Sequence, residues 1–234
     1  EVQAYAFEAL TVGAELLSEF EHAPELVHRC QNAATGLQDR FRDDFWVTVD
    51  DRTYPAIALD RDLVQVKTAS SNLGHLFGTG LLDQAELAKV AETLAGPDLT
   101  AEFGLRTMSA NHKRFNPIGY HTGSIWPHDT AIAVSGLSRD GHGDLAFKFA
   151  EGILKAGAEF DFRIPELMHG TVPGEEAAAL PYPASCRPQS WSAAASIVIS
   201  MAALDLKVDA PRRKIEIGVV PEFSGWWPMQ INGI

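Results

Sequence analysis

The chain has 234 residues, 46% of them hydrophobic, with 31 Asp and Glu against 19 Lys and Arg and a formal net charge of −12. That acidic surplus disfavours nucleic acid and anionic membrane as partners, because both are held by basic surface, and no run of about 18 apolar residues offers a membrane span. Cys30 and Cys186 are isolated thiols without a disulfide framework, and nothing at the N-terminus reads as a signal peptide, so a cytoplasmic protein is expected.

Phe7, Leu10, Ala14 and Leu17 recur at helical spacing and predict a helix over Val2–Phe20. Pro24 suits a first helical turn, and Leu26, Cys30, Ala33, Leu37 and Phe41 repeat the stripe. The short connection makes these two helices antiparallel neighbours. Phe45–Val49 and Tyr54–Leu59 flank Asp50-Asp51-Arg52-Thr53 as a small hairpin, with Pro55 marking an edge. Ser70–Thr79, rich in Gly, is a short helix or turn. Asp83, with Glu86 three residues on, opens a helix carrying Leu87, Val90 and Leu94, and Gly96-Pro97 ends it.

Phe103–Met108 reads as a strand. Helices follow from Pro127 to Gly141, on Ile132 and Leu137, and from Asp144, on Leu145, Phe149, Ile153 and Leu154. Glu159–Ala184 is loop-like, Pro188 stands near the start of an apolar helix reaching about Leu204, Ile215–Val220 reads as a strand, and Gly225-Trp226-Trp227-Pro228 closes the chain. About seven helices paired by short turns, with little strand, define an all-α single domain over 1–234. An αα-toroid with minor β-hairpins fits best. A closed ring of six helical pairs needs about twelve helices, so about seven make its second half.

Asn116–Asp129 holds one Tyr, one Trp, two His, one Asp and two Pro with almost no charge. Rigid aromatics and hydrogen-bonding groups at this density suit a loop lining a pocket for a polar ligand, and Arg163 to Trp191 would form the other wall. Glu166 sits in Arg163-Ile-Pro-Glu-Leu-Met-His-Gly170, outside any helical stripe. It is a surface glutamate or a general base whose partner acid lies across the pocket. His121 and His128, seven residues apart, fit no zinc pattern, so hydrogen bonding is expected of them and neither metal nor cofactor is called for. Asp129, in the first turn of its helix, can cap it. Tyr120, Trp126, Tyr182 and Trp191 offer flat faces with a polar edge, for the core or for the C–H face of a sugar.

Together, Asn116-Pro117, Tyr120-His121, Gly123-Ser124, Trp126-Pro127-His128-Asp129, Pro165-Glu166-Leu167, Pro181-Tyr182-Pro183 and Pro188-Gln189-Ser190-Trp191-Ser192 resemble the C-terminal half of glycogen-debranching-type amylo-α-1,6-glucosidases. Glu1-Val2-Gln3-Ala4-Tyr5 resembles a segment of the same catalytic domain. The resemblance implies an (α/α)6 toroid that hydrolyses α-glucosidic bonds with inversion, on an α-glucan or oligosaccharide. It makes Glu166 the general base, and Tyr120, His121, Trp126, His128, Asp129, Gln189 and Trp191 the walls of the sugar subsites. The general acid of such enzymes, an aspartate in a Trp-x-Asp-like segment, matches nothing in this sequence and would precede Glu1. Inversion needs both an acid and a base, so the chain alone is expected to be a poor catalyst. Its uncovered apolar faces should lead it to self-associate or to pair with a missing N-terminal half. The rival expectations are another toroid glycosidase, acting on trehalose or a glucosyl or mannosyl conjugate, and a non-catalytic carbohydrate-binding protein.

Overall fold

The computed structural model describes residues 1–172 and 179–226. Helices α1 (Val2–Glu19) and α2 (Pro24–Phe45) pack on each other as expected, with Pro24 in the first turn of α2. Helix α2 runs straight into a hairpin of β1 (Trp46–Val49) and β2 (Arg52–Pro55). Asp50 and Asp51 make its two-residue turn, both at positive φ, a conformation that Asp tolerates better than most side chains. The second strand stops at Pro55, short of the expected Leu59, because its partner turns into α2 at Phe45; the Ala56 N–H makes one last bond, to the Phe45 carbonyl at 2.7 Å. Ala58–Leu59 becomes β3, paired with β4 (Gln65–Val66).

Ser71–Leu76 is a 3-10 helix. Helix α3 (Gln84–Ala95) begins on the expected capping box: the Glu86 N–H donates to the Asp83 carboxylate at 2.9 Å and the Asp83 N–H to the Glu86 carboxylate at 2.8 Å. Next come β5 (Thr100–Ala101) and β6 (Gly104–Leu105), then α4 (Pro127–Arg139), α5 (Gly143–Glu159) and α6 (Ser190–Ala203). The strand expected over Phe103–Met108 thus shrinks to β6 plus a single bridge at Arg106. The one expected over Ile215–Val220 is half of a hairpin, β7 (Lys207–Asp209) with β8 (Lys214–Glu216). Among the described residues there are six α-helices, and the expected seventh is the 3-10 segment. Trp227 and Pro228 lie outside the described residues, as do 173–178 of the long loop.

Helix α4 is the hub, packed on α5, α6 and the 3-10 helix. Small residues allow that last contact. A methyl on Gly74 would stand 2.5 Å from the Ala133 methyl, and one on Gly136 2.6 Å from the Phe77 carbonyl oxygen. The 3-10 helix therefore lies directly on α4, over a core that includes Leu73, Leu76, Val134, Leu137, Phe149 and Ile153. Val12 and Leu16 of α1, Phe20 just after it, and Ile197 and Met201 of α6 remain exposed. No described helix is long and apolar enough to cross a membrane.

One ion pair ties the β1–β2 hairpin to the end of α3. Arg52 grips Asp98 with both terminal nitrogens, at 2.9 and 3.1 Å, and the Ser109 hydroxyl donates to the same carboxylate. Burial works to raise the Asp98 carboxyl, but these hydrogen bonds outweigh it and hold the group below its ordinary value of 3.8. The stabilisation is therefore complete above the unfolded-state value and is lost as pH falls through the lower folded-state one. Asp98→Asn is expected to cost about 3 kcal/mol at neutral pH. Urea midpoints of parent and variant should converge as the pH drops below the ordinary carboxylate value; a gap that stays constant with pH would refute this.

Candidate active site

Four segments, two from the connection before α4 and two from the connection before α6, lie side by side. Single-residue antiparallel bridges link them in a row: Arg106 to Ile125, Ile125 to Met168, and Met168 to Pro181. Ile125 and Met168 exchange both backbone hydrogen bonds at 2.9 Å. The Gly170 N–H donates to the Pro117 carbonyl at 2.9 Å, and the Glu166 N–H to the Cys186 carbonyl at 3.0 Å. The Pro165–Glu166–Leu167 segment is thereby fixed against the aromatic loop, as a site shared by two distant stretches of sequence requires.

Glu166 is half-buried, and its Oε1 accepts the Tyr120 hydroxyl at 2.8 Å. That hydrogen bond, with a smaller contribution from burial, raises the pKa of Tyr120 above its ordinary value, so the phenol stays protonated and a donor to the carboxylate. Tyr120 then meets Trp126 edge-on at 4.7 Å and Tyr182 at 5.5 Å. His121, exposed, stacks on Trp126 at 5.5 Å. Trp126 is buried and spends its indole N–H inside the loop, on the Tyr120 carbonyl at 2.9 Å and the Ser124 hydroxyl at 3.1 Å. It serves as the floor of the cluster. Trp191, in the first turn of α6 and 45% exposed, stacks on His128 at 4.7 Å and presents an open aromatic surface.

His128 feels the charges of Asp129 and Glu166. Burial lowers its pKa from 6.5, against the opposing pull of Asp129 and Glu166. The ring is therefore neutral at neutral pH, suited to hydrogen bonding rather than to charge. Its Nδ1 has no hydrogen-bond partner among the described residues. Asp129 makes no cap for α4. Its Oδ1 instead accepts from His75 Nε2 at 2.5 Å, and His75 Nδ1 is hydrogen-bonded to the Tyr5 hydroxyl. Gln189 is the residue that caps: its Oε1 accepts the Ser190 N–H at 2.7 Å at the start of α6.

Glu166, Tyr120, His121, Trp126, His128 and Trp191 thus form one continuous set of contacts, with Tyr182 joined to it. Asp129 faces His75 and Tyr5 instead, and Gln189 stands beside the cluster as a helix cap. Sequence reasoning gave no role to His75 or Arg106. The available signal was one ionisable residue inside an apolar, glycine-marked run: Leu73-Gly74-His75-Leu76 and Gly104-Leu105-Arg106. Among the described residues no group of three His, Cys, Asp or Glu could hold a metal ion.

A carboxylate beside a wall of aromatic rings, at one end of a set of packed helices, is the arrangement of an (α/α)6 glycoside hydrolase. Residues 2–163 match the model of the mannosylglycerate hydrolase MGH1-like glycoside hydrolase domain, and the chain belongs to that family. Its fold is similar to that of the GH63 mannosylglycerate hydrolase from Thermus thermophilus, solved in complex with glucose, with a TM-score of 0.60 at 16% identity over 85% of this chain and 46% of that one. It is also similar to neutral trehalase Nth1 from Saccharomyces cerevisiae, with a TM-score of 0.63 at 15% identity over 90% of this chain and 38% of that one. The chain thus spans less than half the length of either protein. No curated protein matches it. The family is coarser than the resemblance implied: it is that of an (α/α)6 glycoside hydrolase, without debranching in particular.

Proposed function

We propose that the chain is part of the catalytic domain of an inverting glycosidase that acts on α-glucosidic bonds of the debranching type. Glu166 is the general base, and the general acid comes from a segment preceding Glu1. The observation that carries this reading is the Glu166 carboxylate itself. It is presented from a loop bonded to Cys186 and Pro117 and oriented by Tyr120, whose ring meets Trp126 and, through it, Trp191. A carboxylate held this way accepts a proton from a water aimed at the anomeric carbon, while the open Trp191 face supports the C–H face of the sugar. Neutral His128 supplies a partner for a sugar hydroxyl, while the Asp129 carboxylate, given to His75, lies behind it.

A second reading has its own support. The matching family model is named for mannosylglycerate hydrolase, which favours hydrolysis of a glycosyl conjugate over that of a branched glucan. One assay separates the two. Maltooligosaccharides, a branched limit dextrin, trehalose and mannosylglycerate are offered to the chain alone and to the chain extended upstream, with the released anomer followed by NMR. The debranching reading expects glucose from the limit dextrin, first as the β-anomer. Release from mannosylglycerate alone would transfer the assignment to the second reading, and retention of configuration would end the inverting mechanism.

A further inference from the structure

Arg106 is 2% exposed. Its hydrogen bonds run to backbone carbonyls: Nε donates to Gly170 at 2.5 Å and to Thr171 at 2.9 Å, and Nη1 donates to Pro97 and Thr100, both at 2.8 Å. Asp98 is near enough to favour its charge but is itself taken by Arg52 and Ser109. Burial disfavours the cation. A guanidinium placed in a dry interior and satisfied by carbonyl dipoles is costly to keep for packing alone, where an apolar side chain of similar volume would serve. Its rigid fork of donors, however, can bridge two backbone segments, which a lysine's point charge cannot do equally well.

The two segments are informative. Pro97 follows the end of α3 and Thr100 starts β5. Gly170 and Thr171 end the loop that begins at Pro165 and carries Glu166. Between them, Met168 is paired to Ile125. We propose that Arg106 is a positioning residue for Glu166: it clamps the Pro165–Thr171 loop to the α3–β5 segment, so that the carboxylate stays on the Tyr120 hydroxyl. The proposal rests on the reading of Glu166 as the base, but its test does not.

The test reads the Tyr120–Glu166 hydrogen bond directly, in the full chain, without substrate. The ring Cζ carbon of tyrosine shifts with the hydrogen bond its hydroxyl makes, and the sequence has four tyrosines to resolve. The Tyr120 signal is assigned by its loss in Tyr120→Phe, and Glu166→Gln fixes its position when the charged acceptor is gone. In Arg106→Met the Tyr120 signal should move most of the way to the Glu166→Gln position. In Arg106→Lys it should move less, with helical circular dichroism and the Tyr5 signal as controls for the fold. If Arg106→Met fails to fold, Arg106→Lys decides. A Tyr120 signal that stays in place in a folded variant overturns the proposal and leaves Arg106 a structural residue. In the extended, active protein, Arg106→Met should lower kcat about a hundredfold with KM little changed, since a displaced base costs rate more than binding. Turnover that survives Glu166→Gln would instead overturn the base reading, whatever the Tyr120 signal does.

Discussion

Glu166→Gln is expected to lower kcat by about a thousandfold or more in the extended, active protein and to leave the fold unchanged. The side chain keeps its shape, and its amide oxygen still accepts the Tyr120 hydroxyl, so the contact at 2.8 Å persists. An amide oxygen has negligible basicity, however, and cannot take the proton of the attacking water. The residue is half-buried and makes no ion pair among the described residues, so stability should change by less than about 1 kcal/mol. Affinity for a maltooligosaccharide should survive, because the aromatic wall and His128 are untouched. This also separates the enzyme from the binding protein: a non-catalytic relative would show the same affinity with no turnover in the parent either. Turnover within about tenfold of the parent would remove Glu166 from the mechanism.

Much of this architecture is legible in the sequence because local rules decide it. The capping box at Asp83 and Glu86, the proline that opens α2 and a hairpin turn within Asp50–Thr53, which the structure narrows to Asp50-Asp51, each need only neighbouring residues. The aromatic loop and the Glu166 loop are legible for another reason. Their density of Tyr, Trp, His and Pro is unlike that of any packed helix, and the structure brings both to one place. What stays hidden depends on long-range contact. Asp129 reads as a helix cap until His75, 54 residues earlier, takes its carboxylate. Nothing in the sequence shows that Trp126 spends its N–H on the Tyr120 carbonyl and the Ser124 hydroxyl. Arg106 reads as an unremarkable charge until the chain returns with the Gly170 carbonyl, 64 residues on. Strands β4, β5 and β7 also escape the sequence, because each pairs for only two or three residues and shows no alternation long enough to recognise.

Gly170→Ala should be among the most damaging single-methyl changes in the chain. A Cβ at Gly170 would land on the Gly123 carbonyl oxygen, so the obstacle is backbone rather than a side chain that can swing away. Gly123 itself is held at a φ of 156°, near the edge of the region that side chains avoid. Gly170 cannot retreat, since its N–H is bonded to Pro117 and its carbonyl to Arg106. Relief must come from prising the Glu166 loop off the aromatic loop, which breaks bonds on either side of the Ile125–Met168 pair. A cost of about 2–3 kcal/mol is expected, the upper range for overpacking. It should come with a loss of Tyr120–Glu166 contact and of turnover beyond what the stability change explains. Gly13→Ala is the matching control. It adds the same methyl in the middle of α1, where nothing lies within 4 Å, and there alanine's better helix propensity should raise stability by about 0.5–1 kcal/mol. Urea midpoints of the two variants should therefore move in opposite directions from the parent. If Gly170→Ala were as stable as the parent, the two loops would not approach each other at Gly123, and the placement of Glu166 against Tyr120 would lose its physical basis.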